Sequence, residues 1–380
     1  MIPIPESDGL PVTRWSGGLR PASPEDAGVD PLRLEQAFDV LRSEIAAGLL
    51  PGAVAVIARR GAAVAHRALG WRQLYPHRRP MEPDTLFDLA SLTKVAATLP
   101  AVLTLLEQGA FRLDDPVCRF FPAFSGGGKE QVTVRHLLTH TGGLPADFPH
   151  QALTGDRAED IARILAQPLQ AEPGLQVIYS DLGFIILGEM VALLSGEPLD
   201  RYVRRAVHGP LGMHQTGFRP SAALRNRCAA TEYRPHLGRW QCGEVHDEKA
   251  AALGGVAGHA GLFGTAADLA AYGQMWLSGG AGVLSPATVA VATRDQTAGL
   301  GEGRGLGWIV TRPGDTHLSC GDLFTPGSFG HTGFTGTSLW IEPARELVVV
   351  LLTNRVHLGR QDHILRLRPR FHNAVAAALR

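Results

Sequence analysis

A serine and a lysine three residues apart could form a nucleophile and its proton acceptor. Ser91 and Lys94 open an apolar stretch in which leucine and valine recur at helical spacing. Positions i and i+3 share a helix face, so the hydroxyl of Ser91 and the amine of Lys94 can meet. Burial against the helix core would favour a neutral Lys94, which could take the serine proton. The N–H groups at the N-terminus of this helix could hold a developing oxyanion.

The scarcity of lysine makes Lys94 a stronger candidate for chemistry. Among 36 basic residues, the only lysines are Lys94, Lys129 and Lys249. A buried lysine can lose its proton and act as a base, whereas an arginine in practice cannot. We therefore expect a chemical reason for lysine where this arginine-rich chain uses it.

A tyrosine stands just before a second predicted helix, which covers about 180–195. Tyr179 belongs to the triplet Tyr179-Ser180-Asp181. It could serve as a general base if the fold brings it to Lys94. The alternative is a core tyrosine followed by a Ser/Asp helix cap.

A third cluster, His331-Thr332-Gly333, lies on a predicted strand near the end of the chain. Glycine in a strand lets a substrate backbone approach closely. His331 and Thr332 could hold a substrate carboxylate or carbonyl. The N–H of Phe334, the next residue, could complete an oxyanion hole with the N–H of Ser91. The alternative is a strand with a polar edge.

The three clusters, in this order, resemble the signature of the penicillin-recognising serine hydrolases, which is SxxK, then Tyr-x-Asn, then (Lys/His)-Thr-Gly. This superfamily includes class C β-lactamases, D-Ala-D-Ala carboxypeptidases and β-lactamase-like esterases. Three longer segments resemble it as well: VTVRHLLTHTGGLP (132–145), GGVAGHAGLFGTAADLAAY (254–272) and FGHTGFTGTSLWIEPARELVVVLLTNRVH (329–357). The resemblance runs from about residue 20 to 377, which is nearly the whole chain.

The resemblance implies a role for each motif residue. Ser91 matches the nucleophile, Lys94 its proton acceptor, and Tyr179 the general base that also activates the deacylating water. Residues 331–333 match the substrate-anchoring strand, and the N–H of Phe334 matches the second oxyanion donor. The implied reaction is cleavage of an ester or amide bond through an acyl-enzyme, with no metal and no organic cofactor.

Two positions depart from the family pattern. Asp181 stands where most relatives have asparagine, and an ionised carboxylate cannot donate to a substrate carbonyl as an amide can. Asp181 also places a negative charge near Lys94, which favours the protonated lysine. His331 stands where many relatives have lysine, and histidine is only partly charged at neutral pH. Relatives with His-Thr-Gly are more often peptidases or esterases than efficient β-lactamases.

The pattern of elements predicts an α+β fold, and the resemblance implies that this fold is β-lactamase/transpeptidase-like. An antiparallel sheet would draw on both termini, with the hairpin 53–59 and 62–69 beside strands at 305–311, 328–333, 335–342 and 346–354. Helices are predicted at 31–47, from Leu92 to Gly109 with a kink at Pro100, and at 180–195, 198–208, 266–278, 285–294 and 366–379. Residues 215–262 have an irregular pattern.

These elements predict one hydrolase domain over 20–377. Its sheet subdomain would comprise about 20–85 and 300–377, and its helical subdomain about 95–295. Residues 1–19 would form an N-terminal extension. A groove between sheet and helical region is a common place for a site.

Composition argues against several other classes of protein. Acidic and basic residues balance at 36 each, so nothing favours nucleic acid or an anionic membrane as a partner. No apolar run reaches the roughly 18 residues of a membrane span. The N-terminal segment lacks a signal-peptide pattern, so we expect a cytoplasmic protein. The composition does not indicate an oligomeric state.

Two groups of cysteine and histidine residues could be considered as metal sites, and in both metal binding is the weaker interpretation. The four cysteines are scattered, and free thiols are expected. A zinc site from Cys228, His236, Cys242 and His246 would need an unusual ligand spacing. His136 and His140 are four residues apart, but they lie inside a family-like segment, where a structural role is favoured.

A charged segment, His246-Asp247-Glu248, precedes the glycine-rich stretch at 254–262. It resembles a feature of β-lactamase-like proteins that cleave muropeptides at the lactyl-peptide amide. We therefore consider it a possible substrate rim that holds sugar hydroxyls, against the alternative of a solvated loop. The substrate is expected to be a small ester or amide or a cell-wall fragment. The alternatives are a cytoplasmic N-acetylmuramoyl-peptide amidase, a weak β-lactamase and a catalytically silent penicillin-binding protein.

Overall fold

The computed structural model describes residues 3–9, 18–316 and 318–380. The strands are β1 (Glu6–Asp8), β2 (Arg20–Pro21), β3 (Gly52–Arg59), β4 (Ala62–Gln73), β5 (Arg79–Pro80), β6 (Phe87–Asp88), β7 (Gly217–Phe218), β8 (Ala230–Arg234), β9 (Arg239–Cys242), β10 (Leu262–Gly264), β11 (Ile309–Val310), β12 (Phe329–Thr332), β13 (Ser338–Glu342) and β14 (Leu347–Thr353). The helices are α1 (Pro31–Ala46), α2 (Leu99–Glu107), α3 (Val134–Leu138), α4 (Arg157–Leu165), α5 (Asp181–Ser195), α6 (Leu199–Val203), α7 (Ala222–Arg225), α8 (Glu248–Ala252), α9 (Ala266–Leu277), α10 (Pro286–Thr293) and α11 (His363–Ala377).

The main sheet draws on both ends of the chain, as predicted. Its strand order is β1-β4-β3-β14-β13-β12-β11, with β2 and β5 also paired to β4. Strand β14 pairs antiparallel with β3, so the C-terminal strands continue directly from the N-terminal hairpin. Strand β1 pairs with β4 over residues 6–8, which adds part of the predicted N-terminal extension to the sheet. The predicted α+β architecture is confirmed.

The hairpin between β3 and β4 turns at Arg60 and Gly61. Both residues have positive φ, at 52° and 72° respectively. This pair of left-handed residues is the two-residue turn whose twist matches that of the flanking strands. The Arg-Gly pair between two apolar runs therefore predicted the position of this turn correctly.

Strand β14 is buried on both faces of the sheet. Val349 and Leu351 pack with α1 and α11 in one apolar cluster, while Val348 and Val350 belong to the cluster that contains α9. Alternate residues of a strand point to opposite faces, so a strand buried on both sides appears as one continuous apolar run. The sheet is thus covered by α1 and α11 on one side and by α9 on the other.

The prediction of an irregular segment at 215–262 is wrong. This segment contains β7, β8 and β9, the start of β10, and helices α7 and α8. Strands β8 and β9 pair with each other, and β7 and β10 form a small sheet with β6 from earlier in the chain, in the order β6-β10-β7. Elements of two to five residues are too short for a periodic pattern to be recognised. The sheet β6-β10-β7 leads directly into the segment that carries Ser91.

Pro100 changes the helix that follows Ser91, although not by a simple kink. Residues Lys94–Thr98 form a wide π turn, and α2 begins at Leu99. Pro100 has no N–H for the carbonyl of Ala96. The imidazole Nε2 of His208 donates to that carbonyl instead, at 2.9 Å. A side chain from another element therefore satisfies the carbonyl that proline leaves free.

Replacing His208 by glutamine is expected to flatten the acid dependence of stability. Burial lowers the pKa of His208 from its ordinary value of 6.5 to about 4. Between pH 6.5 and pH 4 this histidine is therefore protonated in the unfolded chain but neutral in the folded chain. Folding stability consequently falls as the pH drops towards 4. For His208 the loss by pH 5 should be about 2 kcal/mol. Glutamine keeps a donor for Ala96 and does not titrate.

Urea unfolding at pH 7.5 and at pH 5 measures this difference. The exposed His150→Gln variant is the control and should lose as much stability as the native protein. An equal loss in His208→Gln would show that His208 is protonated at no cost in the folded state.

Within the described residues, no single helix is long and apolar enough to cross a membrane. Among these residues, one pair of consecutive helical segments, Asp181–Ser195 and Leu199–His208, is long and apolar enough when its two members are taken together, but the two are bent by 75°.

Candidate active site

Lys94 lies at the centre of the site and uses all three of its N–H donors. Its Nζ donates to Ser91 Oγ at 3.0 Å, to Asp181 Oδ1 at 2.7 Å and to the carbonyl of His259 at 3.2 Å. The lysine side chain is 0% exposed. An ammonium has three donors and no acceptor, so this arrangement fits a charged lysine.

The expectation that burial leaves Lys94 neutral is wrong. Burial acts to lower the pKa of Lys94, but the charge of Asp181, together with Tyr179, outweighs it and the pKa is raised. Burial also acts to raise the pKa of Asp181, yet neighbouring cations, Lys94 first, hold it at about 2. The two groups form an ion pair, as the aspartate at position 181 led us to expect.

Ser91 follows a backbone turn that only a few residues adopt. Strand β6 ends at Asp88, and Ala90 has φ of 48°. Asp88 accepts a hydrogen bond from the N–H of Ala90 at 2.8 Å and one from the N–H of His246 at 2.6 Å. A buried carboxylate thus holds a left-handed alanine beside the serine, and strain of this kind clusters at functional sites.

Tyr179 is enclosed by four charged or aromatic side chains. Its ring centroid lies 4.8 Å from Lys94 Nζ and 5.4 Å from Arg304 Cζ. The rings of His140 and His331 lie 4.6 Å and 5.8 Å from it, centroid to centroid. The structure thus brings the second motif to the first.

His140 has a structural role, as favoured from the sequence. Its Nδ1 accepts from the N–H of Ser180 at 3.0 Å, and its carbonyl accepts from Ile178 N–H at 2.8 Å. These bonds fix the backbone on both sides of Tyr179. His136 accepts from the N–H of Thr133 at the start of α3. Neither histidine belongs to a group of potential metal ligands among the described residues.

His331 is a neutral residue and not the partial cation expected from the sequence. It is 2% exposed, and burial together with the charges of Arg304 and Lys94 holds its pKa well below the ordinary value. Its Nδ1 lies 2.8 Å from the carbonyl of Thr332, so Nδ1 carries the proton. Nε2 is therefore an acceptor, and it has no partner among the described residues.

The turn after β12 packs against the segment that leads to Ser91. Thr335 donates to the carbonyl of Asp88 at 2.7 Å, and Thr337 donates to the carbonyl of Leu89 at 3.1 Å. These bonds bring residue 334 to the same side of the molecule as Ser91. In the described part of the chain, the N–H groups of Ser91 and Phe334 donate to no protein acceptor. Both remain available for an oxyanion.

A buried arginine donates hydrogen bonds to the backbone of this turn. Arg368 of α11 donates to the carbonyls of Gly333 and Thr337, at 2.7 Å and 2.9 Å. Burial lowers the pKa of Arg368 to about 9. Its contacts are structural, and no sequence motif around Arg368 indicated that it lies near the site.

The segment proposed as a substrate rim is fully engaged with protein partners. His246 stacks on Phe334 at 5.7 Å and its Nε2 lies 3.1 Å from Glu232 Oε2. Glu248 accepts from Arg234 and Arg360 at 2.6 Å and 2.7 Å. The structure places His246 against Phe334, and Glu248 binds Arg360, whose guanidinium carbon lies 5.6 Å from the Phe334 ring centroid.

Asp247, the middle residue of the same segment, belongs instead to a network with His259 and Lys249. Its Oδ1 lies 2.9 Å from His259 Nε2, and its Oδ2 lies 3.6 Å from Lys249 Nζ. Lys249 Nζ is also 3.3 Å from Asp181 Oδ2. Lysine at 249 is thus next to the ion pair of Asp181 and Lys94, whereas the ammonium of Lys129 donates to the carbonyl of residue 165 and lies elsewhere.

Asp181, Asp247 and His259 could in principle hold a metal ion, since their ligand atoms lie within 4.8 Å of one another. The ammonium groups of Lys94 and Lys249 already bind these carboxylates. A divalent cation would stand beside two positive charges, so the donor set fits an ion-pair network better than a metal centre. The imagined zinc ligands do not form such a group among the described residues, and the four cysteines are free thiols.

The sequence did not single out several residues that shape the site. They are Asp88, Asp147, His259, Arg304 and Arg368. The signal for His259 was present, because it lies inside a family-like segment. The others lie far apart in the chain and carry no motif.

The comparisons with known proteins agree with this geometry. A family model described as Beta-lactamase matches residues 38–371. A putative D-alanyl-D-alanine carboxypeptidase of Escherichia coli K12 is 34% identical over 89% of this chain and 86% of its own length. Among solved structures, EstCE1, a hydrolase with promiscuous acyltransferase activity, is 27% identical with a TM-score of 0.73 and covers 91% of this chain and 99% of its own. A penicillin-binding protein homologue from Caulobacter crescentus shares the fold at 23% identity, with a TM-score of 0.73 over 93% of this chain and 99% of its own.

The chain belongs to the β-lactamase family. Within it, the relatives and the fold define a hydrolase of the serine β-lactamase and penicillin-binding-protein type.

Proposed function

We propose that the protein cleaves an ester or amide bond through an acyl-enzyme on Ser91. The observation that carries this proposal is the 3.0 Å contact between Ser91 Oγ and Lys94 Nζ, made by a lysine that is fully buried and held by Asp181. The other buried lysine, Lys129, ends on a backbone carbonyl, whereas Lys94 ends on a serine hydroxyl directly after the left-handed residue Ala90.

The charge of Lys94 assigns the proton transfer to the tyrosine. Ser91 Oγ attacks the carbonyl carbon, and its proton passes to the oxygen of Tyr179, which acts as the general base beside the Lys94 ammonium. The carbonyl π electrons move to its oxygen, which the N–H groups of Ser91 and Phe334 stabilise. When this intermediate collapses, the leaving alcohol or amine takes the proton from Tyr179. A water molecule deprotonated by Tyr179 then attacks the acyl carbon, and Ser91 regains its proton as the acid departs.

The charges around the site favour simple esters, which need neither an amide donor nor a cation for a carboxylate, over β-lactams as substrates. Asp181 is an acceptor and cannot donate to the carbonyl of an amide side chain. His331 is neutral and provides no cation for a carboxylate. The relative named as a putative D-alanyl-D-alanine carboxypeptidase supports a cell-wall peptide, and the hydrolase EstCE1 supports a small acyl ester.

Covalent labelling of the native protein tests the proposal. The protein is mixed separately with a fluorophosphonate, a p-nitrophenyl ester and a penicillin, and its intact mass is measured over time. We expect one adduct per chain with the first two reagents, and peptide fragmentation should locate it on Ser91. The penicillin adduct should form slowly.

Two substrates then separate the alternatives for the natural reaction. Release of D-alanine from an acylated D-Ala-D-Ala peptide would indicate a carboxypeptidase, and release of peptide from an N-acetylmuramoyl peptide would indicate the amidase. Fast penicillin turnover would reverse our ranking of substrates. An adduct on another residue, or none with any reagent, would contradict the proposed mechanism and leave the silent binding protein as the better interpretation.

A further inference from the structure

Lys249 joins three carboxylates beside the catalytic centre. It lies in the first turn of α8, and its side chain is 9% exposed. Its Nζ is 2.6 Å from Asp147 Oδ1, 3.3 Å from Asp181 Oδ2 and 3.6 Å from Asp247 Oδ2. One ammonium therefore connects the segment between α3 and α4, the first residue of α5 and the N-cap of α8.

The Asp181 carboxylate is shared between two lysines. Lys94 binds Oδ1 at 2.7 Å, and Lys249 approaches Oδ2 at 3.3 Å. A carboxylate held at both oxygens cannot rotate without breaking one of the two ion pairs. If Lys249 were absent, Oδ2 would be free and the group could turn away from Lys94. The direction of the Lys94 amine towards Ser91 depends on that contact.

The local charge balance also depends on Lys249. The carboxylates of Asp147, Asp181 and Asp247 face two ammonium groups, and the ring of His259 lies on Asp247. Three negative charges and two positive charges leave one negative charge. The Asp147 side chain is 70% exposed, so solvent screens its charge. Without Lys249 the mostly buried carboxylates of Asp181 and Asp247 would have only the Lys94 ammonium between them, and their mutual repulsion would act to separate them.

We propose that Lys249 is a positioning residue that acts on Lys94 through Asp181, by fixing the carboxylate whose other oxygen holds the catalytic amine. Its effect on catalysis rests on the proposed function, since that function makes Lys94 act on Ser91. Its effect on the position of Lys94 does not depend on the proposed function.

Nuclear magnetic resonance of the lysine side chains tests the positioning directly. The chain has three lysines, so protein labelled with ¹³C at the lysine ε carbon gives one methylene signal for each. Lys249→Met and Lys129→Met each remove one signal and thereby assign all three. The Lys94 amine lies 4.8 Å from the centroid of Tyr179, so the ring current makes its signal sensitive to small displacements.

We expect Lys249→Met to move the Lys94 signal and Lys129→Met, the matched control, to leave it in place. In an Asp181→Asn background, adding Lys249→Met should move the Lys94 signal no further, because the carboxylate through which Lys249 acts is gone. Lys249→Gln serves as a second variant should the methionine variant not fold. An unchanged Lys94 signal, or an equal movement in both backgrounds, would overturn the proposal.

The kinetic consequence is measured on the same variants. With a p-nitrophenyl ester, Lys249→Met should lower the rate of Ser91 acylation at saturation about tenfold to a hundredfold, as expected for a misplaced catalytic group, and change KM less than about threefold. The acid limb of the pH profile should move to higher pH, because loss of a cation raises the pKa of Asp181. Lys249→Arg should recover part of the rate. A protein that lacks the acylation altogether but shows the predicted signal movement would contradict the proposed function and support the positioning role.

Discussion

Replacing Ser91 by alanine is expected to lower kcat/KM on an ester or peptide substrate by at least about ten-thousandfold. The variant has no nucleophile, and the residual rate would come only from the oxyanion donors and from binding. Ser91 Oγ is one of three acceptors of Lys94 Nζ, and the other two remain, so the fold should be retained. The measurement is steady-state hydrolysis together with intact mass after reaction with a fluorophosphonate.

The control is Ser195→Ala, at the far end of α5, where the hydroxyl donates to the carbonyl of Val191. It should keep native activity and its fluorophosphonate adduct. Ser91→Ala should give no adduct under the same conditions. Retained turnover in Ser91→Ala, with a melting temperature equal to that of the native protein, would show that another residue performs the reaction.

Replacing Gly333 by alanine is expected to disturb both the fold and the oxyanion hole. A Cβ at this position would stand 2.1 Å from Thr337 Oγ1 and 2.4 Å from the carbonyl oxygen of Leu89. The threonine hydroxyl could rotate, but the Leu89 carbonyl belongs to the backbone just before Ser91. The turn must therefore move away from Ser91 and carry the N–H of Phe334 with it. Overpacking of this kind costs about 3 kcal/mol of stability, and a displaced oxyanion donor lowers kcat about a hundredfold.

Denaturant unfolding and acylation kinetics measure the two effects separately. Gly217→Ala is the matched control, because a Cβ there meets nothing within 4 Å and the residue has no positive φ. It should change stability and kcat little. If Gly333→Ala were destabilised but acylated at the native rate, Phe334 would not be the oxyanion donor.

The sequence determined the elements that carry the site more precisely than it determined the site itself. The strong apolar periodicity over 180–195 and the Arg60–Gly61 turn predicted α5 and the first hairpin closely. The wide π turn before α2 could not be predicted, because it depends on His208, more than a hundred residues away, which supplies the donor that Pro100 lacks. The short strands of the two small sheets were missed for a related reason, since they are defined by their partners and not by a local pattern.

Residue type and helical spacing were enough to select Ser91 and Lys94 as candidates, because positions i and i+3 share a helix face. Tyr179 was selected because the three motifs, in their order, resemble the family signature. The charge of Lys94 was decided by tertiary structure. Burial alone would have left it neutral, and only the 2.7 Å approach of Asp181 from α5 reverses that outcome. The same holds for His331, which a sequence presents as a partial cation and which the enclosed site makes neutral. The sequence specifies the type of each side chain, whereas its ionisation state depends on the neighbouring charges and the burial that folding provides.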